Sequence, residues 1–127
     1  MKVKKDNYIL VVDDSTTNVV LLEAVFDEKG YKIETAFSAK EAFGIIEKQT
    51  PDLILLDLLM PKINGFDFFR QLRRKKATRD TPVIVVSAAT DEENVHKIME
   101  MGAIDFIKKP IDLDYLVEKV ESVLINK

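Results

Sequence analysis

Short apolar runs alternate with segments whose apolar residues fall at helical spacing, and this alternation constrains the fold more than any other feature of the chain. Residues 8–12 (YILVV), 53–56 (LILL) and 83–88 (VIVVSA) are apolar almost throughout, the pattern of strands covered on both faces. Residues 31–37 (YKIETAF) set Tyr31, Ile33, Thr35 and Phe37 against Lys32 and Glu34, and residues 103–109 (AIDFIKK) make a fifth run. Between them, residues 15–29 carry Val19, Leu22, Val25 and Phe26 at helical spacing, with Gly30 as the stop. Ser38 with Glu41 forms a capping box for a helix to about residue 49, with Phe43 and Ile46 facing inward. Phe66, Phe69 and Leu72 mark a third helix, ending in a basic run before Thr81-Pro82. Thr90 with Glu93 opens a fourth helix, which carries Val95, Ile98 and Met99 and ends at Gly102. Asp112 caps a fifth, with Leu113, Leu116, Val117, Val120 and Leu124 on one side. Five strands alternating with five helices predict a parallel sheet covered on both faces, and right-handed crossovers make it doubly wound.

A chain of 127 residues without repeats, low-complexity tracts or a Gly/Pro/Ser linker is expected to form one domain, residues 1–127. No apolar run reaches the roughly 18–20 residues that a membrane span needs, so no membrane is expected as a partner. The basic start MKVKKDNY is followed by only five apolar residues before an acidic pair, which is not the pattern of a secretory signal. The absence of cysteine suits a reducing cytoplasm, and a net charge of −3 gives no reason to expect direct contact with nucleic acid.

In open α/β sheets ligands bind beyond the carboxyl ends of the strands. The run YILVV ends in Asp13-Asp14, LILL in Asp57, VIVV in Ser87 and AIDFI in Lys108-Lys109-Pro110. The topology therefore brings three carboxylates, a hydroxyl and an ammonium to one rim. Two like charges about 5 Å apart repel by roughly 3 kcal/mol at an effective dielectric near 20, so a proton or a cation is needed there. Oxygen donors alone point to a hard divalent ion, with Mg²⁺ the natural candidate. Beside such an ion Asp57 can attack phosphorus, while Lys109 and Ser87 hold phosphoryl oxygens.

The set VVDDS, LLDLLMPKING, VVSA and FIKKP, in that order and spacing, resembles the phosphoacceptor receiver domain of two-component response regulators. The resemblance covers about residues 7–125. It implies a flavodoxin-like doubly wound sheet of order 2-1-3-4-5, and a signalling domain rather than an enzyme acting on a separate substrate. By the same resemblance, Asp57 would accept a phosphoryl group from a sensor histidine kinase or phosphotransfer protein. Asp14 would bind Mg²⁺ directly, Asp13 mainly through water, and the Leu59 backbone carbonyl would be a further ligand. Ser87 and Phe106 fall at the family's two switch positions, and Lys109 at its lysine, with Lys109-Pro110 expected to be cis. The surface made by the fourth helix, fifth strand and fifth helix would signal to a downstream protein or output domain, and could also carry a homodimer. Leu59 and Ala89 stand where many relatives carry polar residues able to position a water, which implies a long-lived phosphoryl group.

Each of these residues also has a plainer reading. Asp13-Asp14 could be acidic residues favoured at a helix N-terminus, and Phe106 simply core. His96 reads as a solvated surface histidine, and the run Arg70, Arg73, Arg74, Lys75, Lys76 and Arg79 as a solvated helix end. A flavodoxin would need a phosphate-cradling loop after the first strand, where this chain has two carboxylates. An Asp-nucleophile phosphatase usually has a second acid two residues beyond the nucleophile, where Leu59 stands. A receiver-like module that only binds partners would not need all five polar groups.

Overall fold

Three of the apolar runs become the centre of a single parallel sheet. The computed structural model describes residues 7–58, 65–88 and 92–125. Its elements are β1 (Tyr8–Val12), α1 (Thr16–Glu28), β2 (Lys32–Ala36), α2 (Ala39–Lys48), β3 (Leu53–Leu56), α3 (Gly65–Arg74), β4 (Val83–Ser87), α4 (Glu92–Glu100), β5 (Asp105–Lys108) and α5 (Leu113–Ile125). The strand order is β2-β1-β3-β4-β5, all parallel, as expected for a flavodoxin-like sheet.

Successive strand residues feed two separate cores, which explains why the central strands are apolar without alternation. Leu10, Val12, Ile54, Leu56, Val83 and Val85 meet Ala42 and Ile46 of α2, Phe68, Phe69 and Leu72 of α3, and Ile98 of α4. Ile9, Val11, Leu53, Leu55, Ile84 and Val86 meet Val19, Leu22 and Phe26 of α1 and Leu116, Val120 and Leu124 of α5. Each fully buried Leu, Ile or Phe contributes about 1.5–3 kcal/mol, so the two layers hold the strands in register.

Local signals set the element ends. Ser15 caps α1 by accepting from the Asn18 amide, and Gly30 follows with φ +93°, a conformation that glycine adopts without a Cβ penalty. The Ser38 hydroxyl accepts from the Glu41 amide at 3.2 Å, while the Glu41 carboxylate accepts from the Phe37 amide at 3.4 Å. That is a capping box shifted back by one residue. Thr90 lies outside the described residues, so the box proposed for α4 is not visible.

Some inward assignments change. Met99 is 39% exposed and Phe37, just past β2, is 37% exposed, whereas Ala39 and Ala42 are buried where Phe43 is only half-buried. The sheet face beside α2 leaves room for small side chains, and Phe43 lies over it against the Phe68 ring, centroids 4.8 Å apart. The basic run is also not uniformly solvated. Arg73 is half-buried, with Nη1 donating to the carbonyls of Thr78 (3.2 Å) and Thr81 (2.9 Å) and its guanidinium over the Phe69 ring. His96 is a surface residue as expected, paired with Glu100 at 2.8 Å.

Candidate functional site

The sheet's hydrogen bonds run one residue past the strands and so deliver the polar groups to one rim. The Asp13 amide donates to the Ala36 carbonyl (3.0 Å), the Asp57 amide to Val12 (2.9 Å) and the Lys109 amide to Ser87 (3.1 Å). Asp13, Asp57 and Lys109 are therefore held by backbone pairing immediately beyond β1, β3 and β5, and Ser87 is the last residue of β4.

Lys109 joins the two buried acids. Its Nζ donates to Asp13 Oδ2 at 3.0 Å and to Asp57 Oδ2 at 3.2 Å. Asp13 and Asp57 are 3% and 4% exposed, so this is a pair of acids sharing one cation within the rim rather than a surface salt bridge. The other Asp13 oxygen, Oδ1, accepts from the Ser15 amide at 2.8 Å, which fixes the carboxylate plane. Asp14 is exposed and completes a group of three carboxylates offering oxygens within 4.8 Å of one another. Three acids and one ammonium leave the cluster short of positive charge. A like pair at that separation repels by roughly 3 kcal/mol at an effective dielectric near 20.

The titration shifts follow from that imbalance. Burial lifts the Asp13 carboxyl above the usual carboxylate range and the charge of Asp57 adds to it, while the Ser15 amide and Lys109 oppose without cancelling it. Burial works against the Lys109 ammonium, but the hydrogen bond and charge of Asp13, and then those of Asp57, outweigh it and hold its pKa above the ordinary value. The donors are all oxygen, two acids are fixed and a third is open to solvent, an arrangement that fits a hard divalent cation.

Ser87 is fully buried. Phe106 is half-buried against the core shared with α2, α3 and α4, and pairs in register with Val85. Val85 and Ser87 share a face of β4, so Ser87 and Phe106 stand on the same side of the sheet, two register positions apart. The Lys109-Pro110 bond is cis, as expected. Leu59 and Ala89 lie outside the described residues. Gly65, the last residue of the stretch LLDLLMPKING, donates its amide to the Leu58 carbonyl at 2.8 Å and so touches the segment that carries Asp57.

The comparisons with known proteins converge on one family. The sequence matches the profile of the response regulator receiver domain over residues 9–121. It is 33% identical over 117 residues to the response regulator SaeR of Staphylococcus aureus, covering 92% of this chain and 50% of that protein, so the chain spans half the length of this curated relative. Among solved structures, the response regulator receiver protein from Pseudomonas putida superposes with a TM-score of 0.88 at 33% identity, covering 92% of this chain and 97% of that one. The signal receiver domain of a signal transduction histidine kinase from Syntrophus aciditrophicus gives 0.85 at 34% identity, covering 94% and 91%.

Proposed function

This chain belongs to the response regulator receiver domain family, and on that premise we propose that Asp57 accepts a phosphoryl group from a sensor histidine kinase or phosphotransfer protein. The observation that carries the reading is the Lys109 ammonium bridging Asp13 and Asp57 across 52 residues of sequence from the acceptor. A carboxylate oxygen of Asp57 bonds to phosphorus as the phosphorus–nitrogen bond of the donor breaks, the electron pair remaining on the imidazole. Lys109, already 3.2 Å from the Asp57 carboxylate, donates to the phosphoryl oxygens, and the Ser87 hydroxyl holds another. Asp13, Asp14, Asp57 and the Leu59 carbonyl would hold Mg²⁺, with exposed Asp14 the direct ligand and the tethered Asp13 acting through water. When bound, the ion offsets charge on the carboxylate and on the phosphoryl oxygens.

Ser87 moving toward the phosphoryl group would vacate space for Phe106, which lies on the same face of the sheet. The equilibrium would then shift across α4, β5 and α5 toward an arrangement that binds a downstream protein or output domain, or a second copy through that surface. With Leu59 and Ala89 in place of water-positioning residues, the phosphoryl group would be long-lived. Residues 1–127 form one receiver domain in this reading, with its core at about 7–125, working in the cytoplasm. No helix among the described residues is long and apolar enough to cross a membrane.

The test is incubation with Mg²⁺ and acetyl phosphate followed by intact mass. One labile phosphoryl gain is expected, absent in Asp57→Ala and in chelator. A flavodoxin or a module that only binds partners would take up none.

A further inference from the structure

The four glycines of the chain serve different purposes, and one of them lies against the phosphoacceptor. Gly30 and Gly102 have φ of +93° and +104°, and Gly44 faces open space. Gly65 is different. A Cβ there would fall 2.5 Å from Leu58 Cα, 2.9 Å from the Asp57 carbonyl oxygen and 3.0 Å from Leu58 Cδ2. Two of these neighbours are backbone, so the clash cannot be relieved by turning a side chain. No left-handed backbone explains the residue. Its requirement is space.

We propose that Gly65 is a positioning residue for phosphoryl transfer, its missing side chain letting the first turn of α3 seat the Asp57–Leu58 peptide against the sheet. The proposal rests on Asp57 being the acceptor. The seat has two sides: the Asp57 amide is tied to the Val12 carbonyl at 2.9 Å, and the Leu58 carbonyl receives the Gly65 amide at 2.8 Å. Leu58 is itself buried, so the peptide has no free direction in which to yield. A Cβ at position 65 forces either α3 or the acceptor's own peptide to move, and the second movement carries Asp57 away from Lys109. Displacements of about 1 Å at a reacting group slow chemistry roughly a hundredfold.

The experiment compares the wild-type chain with Gly65→Ala, Gly44→Ala and Val120→Ala, the last being a core truncation on the α5 side that sets the effect of lost stability alone. Rates of phosphorylation by acetyl phosphate are measured across Mg²⁺ and acetyl phosphate concentrations, with amide shifts of Asp57 and Leu58 read by NMR without phosphodonor. We expect Gly65→Ala to lower the saturating rate at least about tenfold and to weaken Mg²⁺ binding, with shifts concentrated at Asp57 and Leu58. Gly44→Ala should react as wild type and melt higher. A Gly65→Ala rate within twofold of wild type, or a loss no greater than that of an equally destabilised Val120→Ala, overturns the proposal. If Gly65→Ala is partly unfolded, trimethylamine N-oxide is added to refold it before the rate is read. A variant that stays unfolded even then makes Gly65 a general packing residue and also overturns it. A wild-type chain that takes no phosphoryl group refutes Asp57 as acceptor, a separate outcome, since the NMR shifts still report whether position 65 moves the peptide.

Discussion

Tyr31 is 4% exposed in the core shared with α1 and α5, its ring edge-on to Phe26, and among the described residues its hydroxyl finds no hydrogen-bond partner. Burial, with some help from the charge of Glu121, pushes its pKa up to about 12. A buried hydroxyl with no partner carries a desolvation cost that a phenyl ring lacks, so Tyr31→Phe should be neutral or stabilising by up to about 1 kcal/mol in urea unfolding. A loss above that would mean the hydroxyl is satisfied in solution. Asp13 gives a prediction of opposite character. Its folded-state pKa lies above the ordinary 3.8, so the folded state binds more protons than the unfolded one in the interval between the two values. Stability therefore falls as pH rises through that interval, and at neutral pH ionised Asp13 subtracts from it. In EDTA, Asp13→Asn should melt higher than wild type near about pH 7, by on the order of 1 kcal/mol. The gap should close as pH falls toward 3.8. A variant less stable at neutral pH would mean that the Lys109 bond outweighs the burial of the charge. Such a trade of stability for chemistry is common where acids are gathered for function.

At the level of elements, Arg73 links three of them. From the last turn of α3 it donates to carbonyls on the approach to β4, approaches the Gly102 carbonyl after α4 at 3.5 Å, and lies 4.6 Å from the Phe69 ring centroid. Burial draws its pKa below the ordinary value, with Asp80 opposing. Arg73→Ala should lose about 2–3 kcal/mol in urea unfolding with m unchanged, and Arg73→Lys should recover less than half, because an ammonium cannot reproduce the fork. A loss below about 0.5 kcal/mol would make the guanidinium a surface group. Arg73 also marks the limit of reading elements from sequence. The strands were legible because both faces of β1, β3 and β4 are buried, and the caps because Ser38 and Glu41 act locally. The partners of Arg73 are carbonyls five, eight and 29 residues away, and nothing in a run of basic residues distinguishes it from Arg74. The exposed positions of Met99 and Phe37 were equally hidden, because helical or alternating spacing does not say where a covering layer stops. Asp13, Asp57 and Lys109 could be placed together because each directly follows a strand; the closeness of Gly65 to the Asp57 peptide appears only once α3 is docked.

Across the whole molecule, the proposed switch predicts a response far from the acceptor. With Mg²⁺ and beryllofluoride, an acyl-phosphate mimic, amide shifts should spread from Asp57 to α4, β5 and α5, and Phe106→Ala should shorten that spread while leaving the changes at Asp13 and Asp57 in place. Changes confined to the rim in the wild-type chain would remove the coupling. Moving a two-state equilibrium from mostly one form to mostly the other takes roughly 5 kcal/mol of differential binding, which charge-assisted contacts from Lys109 and Ser87 to one phosphoryl group can supply. The lysine has a further consequence. Because its ammonium already rests between Asp13 and Asp57, the fold carries part of its own countercharge. On the proposed reading, a domain starved of magnesium would fall silent yet keep its shape, ready to resume when the metal returns.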